Sequence, residues 1–94
     1  MFYQNMLNGM ITKSKNITPI NEKGNSHGLW EVYWSNGQLM YKGNYVDGNR
    51  HGYWEVYWDN GQLCYKANFV DGKQNGYWEW YCSNGQLKSK TYYI

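Results

Sequence analysis

His27–Arg50, HGLWEVYWSNGQLMYKGNYVDGNR, lies over His51–Gln74, HGYWEVYWDNGQLCYKANFVDGKQ, without a gap, and 17 of the 24 positions are identical. Asn75–Ile94, NGYWEWYCSNGQLKSKTYYI, continues the series for 20 residues, ten of them identical to the preceding unit, and stops before the next expected Asp-Gly. A period of this length marks a chain assembled from stacked supersecondary units, each too small to bury its own apolar face. Upstream, Gly24, Asn25, His27 and Gly28 reproduce Gly48, Asn49, His51 and Gly52. Residues 1–26 therefore fill the space of one repeat with a divergent sequence, as a terminal cap does, ahead of repeats 27–50, 51–74 and 75–94.

Each repeat reads as a β-hairpin. Asn36-Gly37, Asn60-Gly61 and Asn84-Gly85 separate apolar runs, and Asn-Gly is favoured where a two-residue type I′ turn needs positive φ twice. Counting outward pairs Trp34 with Leu39, Tyr33 with Met40, Val32 with Tyr41, Glu31 with Lys42 and Trp30 with Gly43. The same count sets Glu55 against Lys66 and Glu79 against Lys90, one opposite-charge pair per repeat, which supports the register. The first Trp of each repeat then faces Gly43, Ala67 or Thr91, partners small enough for its indole to lie across the strand. Asp47–Gly52 and Asp71–Gly76 serve as return loops. The expected fold is all-β: an elongated, twisted antiparallel meander of six strands, or seven if residues 15–20 add one, where Pro19 suits an edge.

Alternation divides the side chains between two faces. Face A takes Trp30, Val32, Trp34, Leu39, Tyr41 and Tyr45, then Trp54, Val56, Trp58, Leu63, Tyr65 and Phe69, then Trp78, Trp80, Cys82 and Leu87. Face B takes Glu31, Tyr33, Met40 and Lys42, then Glu55, Tyr57, Cys64 and Lys66, then Glu79, Tyr81, Lys88 and Lys90.

Composition narrows the function classes. With 6 Trp, 11 Tyr and 2 Phe in 94 residues against one Pro and 17% charge, the chain is one domain and the reverse of a disordered one. No apolar run approaches a membrane span, and Met1–Ile11 lacks the basic start and apolar stretch of a secretory signal, so the chain reads as cytoplasmic. The net charge of +2 resides in residues 1–26, while the repeats balance six bases against six acids. That leaves no basic face for a phosphate backbone and argues against nucleic acid.

Gly-x-Trp-Glu-x-Tyr followed by Asn-Gly-Gln-Leu, at 36–39, 60–63 and 84–87, resembles the MORN repeat (membrane occupation and recognition nexus), and is most similar to the bacterial variant found in antitoxins of toxin–antitoxin pairs. The resemblance covers residues 27–94. It implies hairpin arrays used for protein binding, dimerisation or, in some members, lipid association.

The residues point to no catalytic group, cofactor or metal site. His27 and His51 occupy equivalent loop positions about two strand spacings, roughly 10 Å, apart, which suits loop hydrogen bonding rather than a shared ion. Cys64 and Cys82 fall on opposite faces, so a disulfide would have to cross the sheet. Glu31, Glu55 and Glu79 each face a Lys, which favours the ionised carboxylate and disfavours a general acid. What remains is aromatic surface. The leading expectation is a non-enzymatic protein-binding module, an antitoxin or inhibitor, that engages its partner through Tyr33, Tyr57 and Tyr81 and through Trp34, Trp58 and Trp80. A self-associating scaffold, such as a homodimer, and a module binding carbohydrate or phospholipid headgroups on the aromatic ladder are the alternatives. Face A carries more aromatic surface than so small a chain can bury alone, which is the reason to expect a partner.

Overall fold

The structure, a computed structural model, describes residues 15–94. They form an all-β open sheet with strands β1 (Gly28–Tyr33), β2 (Leu39–Val46), β3 (Asn49–Tyr57), β4 (Leu63–Val70), β5 (Lys73–Gln74), β6 (Gly76–Tyr81) and β7 (Leu87–Tyr93). The order is β1-β2-β3-β4-β6-β7, every neighbour antiparallel, with β5 also pairing β4. The seventh strand is thus β5 and not residues 15–20. In the third repeat the strand equivalent to β3 is interrupted at Asn75, whose N–H donates to the Asn68 carbonyl. Residues 15–20 contribute only isolated bridges, Ile17 with Glu31 and Ile20 with Ser26. The part of the cap at 1–14 lies outside the described residues.

The two kinds of turn are the reverse of the sequence expectation. Asn36-Gly37 is not a type I′ turn: Gly37 N–H donates to the Trp34 carbonyl, Trp34 N–H donates to the Gln38 carbonyl, and only the glycine has positive φ, at 91°. This is a three-residue loop, a type I turn closed by a left-handed glycine. The two-residue type I′ turns are Asp47-Gly48 and Asp71-Gly72, where the aspartates hold φ of 49° and 50°. The asparagine instead clamps its loop, Asn36 Oδ1 accepting from Gln38 N–H at 2.8 Å, with Asn60 and Asn84 doing the same for Gln62 and Gln86.

The longer loop shifts the register by one, and a β-bulge restores it. Tyr33 faces Leu39 and Val32 faces Tyr41, so Met40 is the extra residue; Cys64 and Lys88 are its counterparts. Two face assignments change as a result. Leu39, Leu63 and Leu87 pair with Tyr33, Tyr57 and Tyr81 and so join face B, while Met40 lines a hollow on face A beside Tyr41. Beyond the bulge the expected register holds, Glu31 facing Lys42 and Trp30 facing Gly43.

The first Trp of each repeat faces a small residue as expected, but the indole over Gly43 is that of Trp54 in the next repeat, not Trp30. Trp54 Nε1 donates to the Asn44 carbonyl at 3.0 Å, anchoring the second repeat on the first. Trp30 makes the equivalent bond at 2.9 Å to the Pro19 carbonyl, so the cap stands in for a preceding strand. Around these indoles runs one edge-to-face series, Trp30–Tyr45–Trp54–Phe69–Trp78–Tyr93, with ring centroids 5.0, 5.1, 6.3, 5.4 and 5.9 Å apart. Each such contact contributes about 0.5–1.5 kcal/mol beyond the area buried. Trp54, Ala67, Phe69 and Trp78 form the buried core.

At the opposite end Asp47 ties down the cap, its Oδ1 accepting from Asn21 and Asn25 side chains, both at 2.9 Å, with Lys23 3.6 Å from Oδ2. The bonds from Asn25 and Asn21, then the charge of Lys23, hold its carboxyl below the ordinary value.

Gly43→Ala should lower stability by about 1–3 kcal/mol in urea unfolding, because a Cβ there falls inside the Trp54 indole. Asp47→Ala should speed amide exchange at Ile17 and Glu31, the pair that closes the cap. Since the Asp47 pKa is lowered on folding, its contribution should be complete above the ordinary carboxylate range and vanish as the pH falls through its lowered value, and Asp47→Ala should remove that acid dependence.

Candidate functional site

One layer thick, with Cα extents of 46 × 36 × 10 Å, the sheet presents two surfaces of different chemistry. Face B is organised by charge. Glu31, Lys42, Glu55, Lys66, Glu79 and Lys90 form one row across six strands, because Lys42 also faces Glu55 and Lys66 also faces Glu79 between repeats. Lys66 and Lys90 flank Glu79 at 3.4 and 3.5 Å. Tyr33, Tyr57 and Tyr81 lie two residues along and donate their hydroxyls to Glu31, Glu55 and Glu79. Tyr53 donates to the second oxygen of Glu55 at 3.1 Å.

These bonds fix the state of both partners. Glu79 is held below the usual carboxylate range by the Tyr81 hydroxyl and then by Lys66 and Lys90, the reverse of what a general acid needs. Tyr53 and Tyr57 are pushed up to about 12, first by loss of water and then by the hydrogen bond to Glu55. The Tyr33, Tyr57 and Tyr81 hydroxyls are therefore committed within the sheet. Tyr53 and Tyr77, 50% and 56% exposed, offer more open ring area on this face. Both stand two residues before the ladder glutamates, so plain alternation from Glu55 and Glu79 would have found them.

Face A is organised by aromatic stacking. Tyr41 stacks on Trp54 at 5.5 Å and Tyr65 on Trp78 at 5.0 Å. Trp34 and Trp58 lie at the turn end of the face, each donating Nε1 at 3.2 Å to a carbonyl of the next repeat, Tyr57 and Tyr81. Trp80 lies against Tyr65 at 4.5 Å. Trp58 and Trp80 remain 37% exposed, so two of the three expected tryptophans keep open surface on this face. A hollow of about 370 Å³ lies between Trp34, Met40, Tyr41, Tyr45, Arg50, Trp54, Val56 and Tyr65. Val56 explains it: at the equivalent position the third repeat carries Trp80, which covers its neighbouring tyrosine, and the valine leaves that space open.

Arg50 and Met40 were not foreseen. Arg50 faces Tyr45 across the type I′ turn, with its guanidinium 4.4 Å from the Phe69 ring centre and 5.7 Å from that of Trp54. Reading Asp47-Gly48 as a two-residue turn places Arg50 there by counting. Met40 needed knowledge of the bulge.

The histidines bond within their loops, His27 Nδ1 accepting from Asp47 N–H at 3.0 Å and His51 Nδ1 from Asp71 N–H at 3.5 Å. Among the described residues no group of three or more His, Cys, Asp or Glu side chains is arranged to hold a metal ion. Cys64 and Cys82 are free thiols. The bulge removes the argument that they lie on opposite faces, since Cys64 takes the position of Met40.

A family model described as a MORN repeat variant matches residues 26–47, 50–71 and 74–94, well over half of the chain. No curated protein and no solved structure matches it.

Alkaline titration checks face B. Because the Tyr53 and Tyr57 pKa values rise on folding, the stability they contribute is complete below about pH 10, the unfolded tyrosine value, and is lost between there and about 12. Absorbance at 295 nm should include a late component, Tyr53 and Tyr57, ionising near that upper limit, and Tyr57→Phe should reduce that component and flatten the alkaline loss of stability.

Proposed function

Because the chain belongs to the MORN repeat family, in its variant form, whose members are often binding modules and generally not catalysts, we propose that it is a non-enzymatic module recognising another protein through its aromatic sheet. The observation that carries this reading is the open side of face A. Trp58 and Trp80 are more than a third exposed beside an aromatic hollow, on a single-layer sheet with no second layer among the described residues. Exposed tryptophans held in place, Trp80 on β6 and Trp58 just past β3 with its Nε1 bonded to the Tyr81 carbonyl, present large area at small entropic cost, the usual character of residues that dominate interface energies. Tyr33, Tyr57 and Tyr81 fit a supporting role, since their hydroxyls are engaged by glutamates. The finer reading, an antitoxin or inhibitor, rests on the likeness of the repeats to the bacterial variant.

Native capture on the immobilised chain should retain one stoichiometric protein, and the double variant Trp58→Ser, Trp80→Ser should weaken that capture at least about tenfold. If the finer reading holds, the captured protein loses an activity when bound. Retention unaffected by the tryptophan variants but lost on substituting Tyr53 and Tyr77 would move the surface to face B, and no specific protein would refute protein binding. The same exposed row supports self-association as a second reading, which sedimentation at rising concentration tests directly.

A further inference from the structure

We propose that the hollow over Val56 is an anchor site for an apolar peptide segment carrying a carboxylate, the Arg50 guanidinium taking the acid and the surrounding rings its apolar neighbours. The proposal rests on the protein-binding reading and gives the partner's segment a chemistry.

Three observations carry it. The hollow, about 370 Å³, is large enough to receive side chains and is walled almost wholly by aromatic and aliphatic groups, with one cation among them. That cation forms no ion pair among the described residues; its contacts are with the faces of Phe69 and Trp54. Resting over these two ring faces, the guanidinium is already placed at the wall of the hollow, so a carboxylate fork can form there with less ordering of the side chain. Finally, the chain keeps its own carboxylates away from this site. Glu31, Glu55 and Glu79 belong to face B, Asp47, Asp59 and Asp71 to turns, and Glu22 to the cap. Face A of a second copy carries no carboxylate to set against Arg50, whereas an acidic, apolar segment of another protein would complete the site. A single cation is also too little field for a polyanionic surface.

The test titrates the full chain with three blocked hexapeptides, Gly-Leu-Leu-X-Leu-Gly with X glutamate, glutamine or lysine, and reads the indole N–H signals of Trp34 and Trp54 by nuclear magnetic resonance. The glutamate peptide should bind about tenfold more tightly than the glutamine peptide, and the lysine peptide more weakly still. Arg50→Gln should bring the three affinities together, and Arg50→Lys should keep their order with a smaller spread. Val56→Trp, which copies the residue the third repeat carries there, should fill the hollow and abolish all three while the spectrum stays dispersed.

Equal affinities for the native chain, or an order that survives Arg50→Gln, overturn the proposal. So does the absence of any response at Trp34 and Trp54; sedimentation and removal of residues 1–14 then tell whether a second copy or the chain's own leading segment holds the hollow. A captured protein that binds Arg50→Gln undiminished refutes this site and leaves the protein-binding reading standing. Selective, Arg50-dependent peptide binding without a captured protein does the opposite.

Discussion

Everything in this sheet depends on an aromatic ring from one strand resting across the strand before it. A hairpin alone has no core, and two strands in water are marginal. Here the indole of Trp54 leaves its own hairpin, crosses Gly43 and bonds to the Asn44 carbonyl, and Tyr45 and Phe69 fill the spaces on either side. Because this indole belongs to the later repeat and Gly43 to the earlier one, the core here is built between repeats and not inside one. Trp78 of the third repeat is held by ring contacts, those with Tyr65 and Phe69 among them, its Nε1 having no hydrogen-bond partner among the described residues. Stability therefore accumulates by neighbour contacts, as in other quasi-one-dimensional folds, and the cap matters because Pro19 supplies Trp30 with the carbonyl that a preceding strand would.

At the turn ends the same logic is carried by polar groups. Asn36 and Asn60 each hold their own loop with Oδ1 and reach forward with Nδ2 to the Asp59 and Ser83 carbonyls of the next unit at 2.7 and 2.8 Å. Gln38 lies over Gly61 and Gln62 over Gly85, and each of those glycines is required by its left-handed backbone. One short motif, Asn-Gly-Gln, thereby folds a loop and docks it.

The all-β class, the repeat and the Glu–Lys pairs were legible in the sequence because they depend on period and charge, which a linear string displays. The turn types were not. Asn-Gly suits both a type I′ turn and a three-residue loop closed by glycine, and what separates them is the sign of φ at Asn36, which the two letters alone do not fix. That one ambiguity hid the bulge at Met40 and misplaced Leu39, while Arg50 was concealed by the separate two-residue turn at Asp47-Gly48. The surplus of aromatic side chains announced a surface, but the hollow within it arises from a difference between repeats, Val56 against Trp80, whose meaning appears only when the units stand side by side.

A strand has two sides, so the order of its side chains is a question of parity. Each Asn-Gly loop adds one residue, and each bulge at Met40, Cys64 or Lys88 absorbs one. Deleting either alone would exchange the sides of every residue beyond it, turning lysines toward the indoles and tyrosines toward the glutamates. Length in this fold can therefore change safely only in compensated steps or by whole units of 24 residues, the spacing at which the sequence repeats. Such a chain is free to vary single side chains, as at Val56 and Arg50, while its architecture grows or shrinks in units, and distinctive chemistry then arises from the places where one repeat fails to copy another.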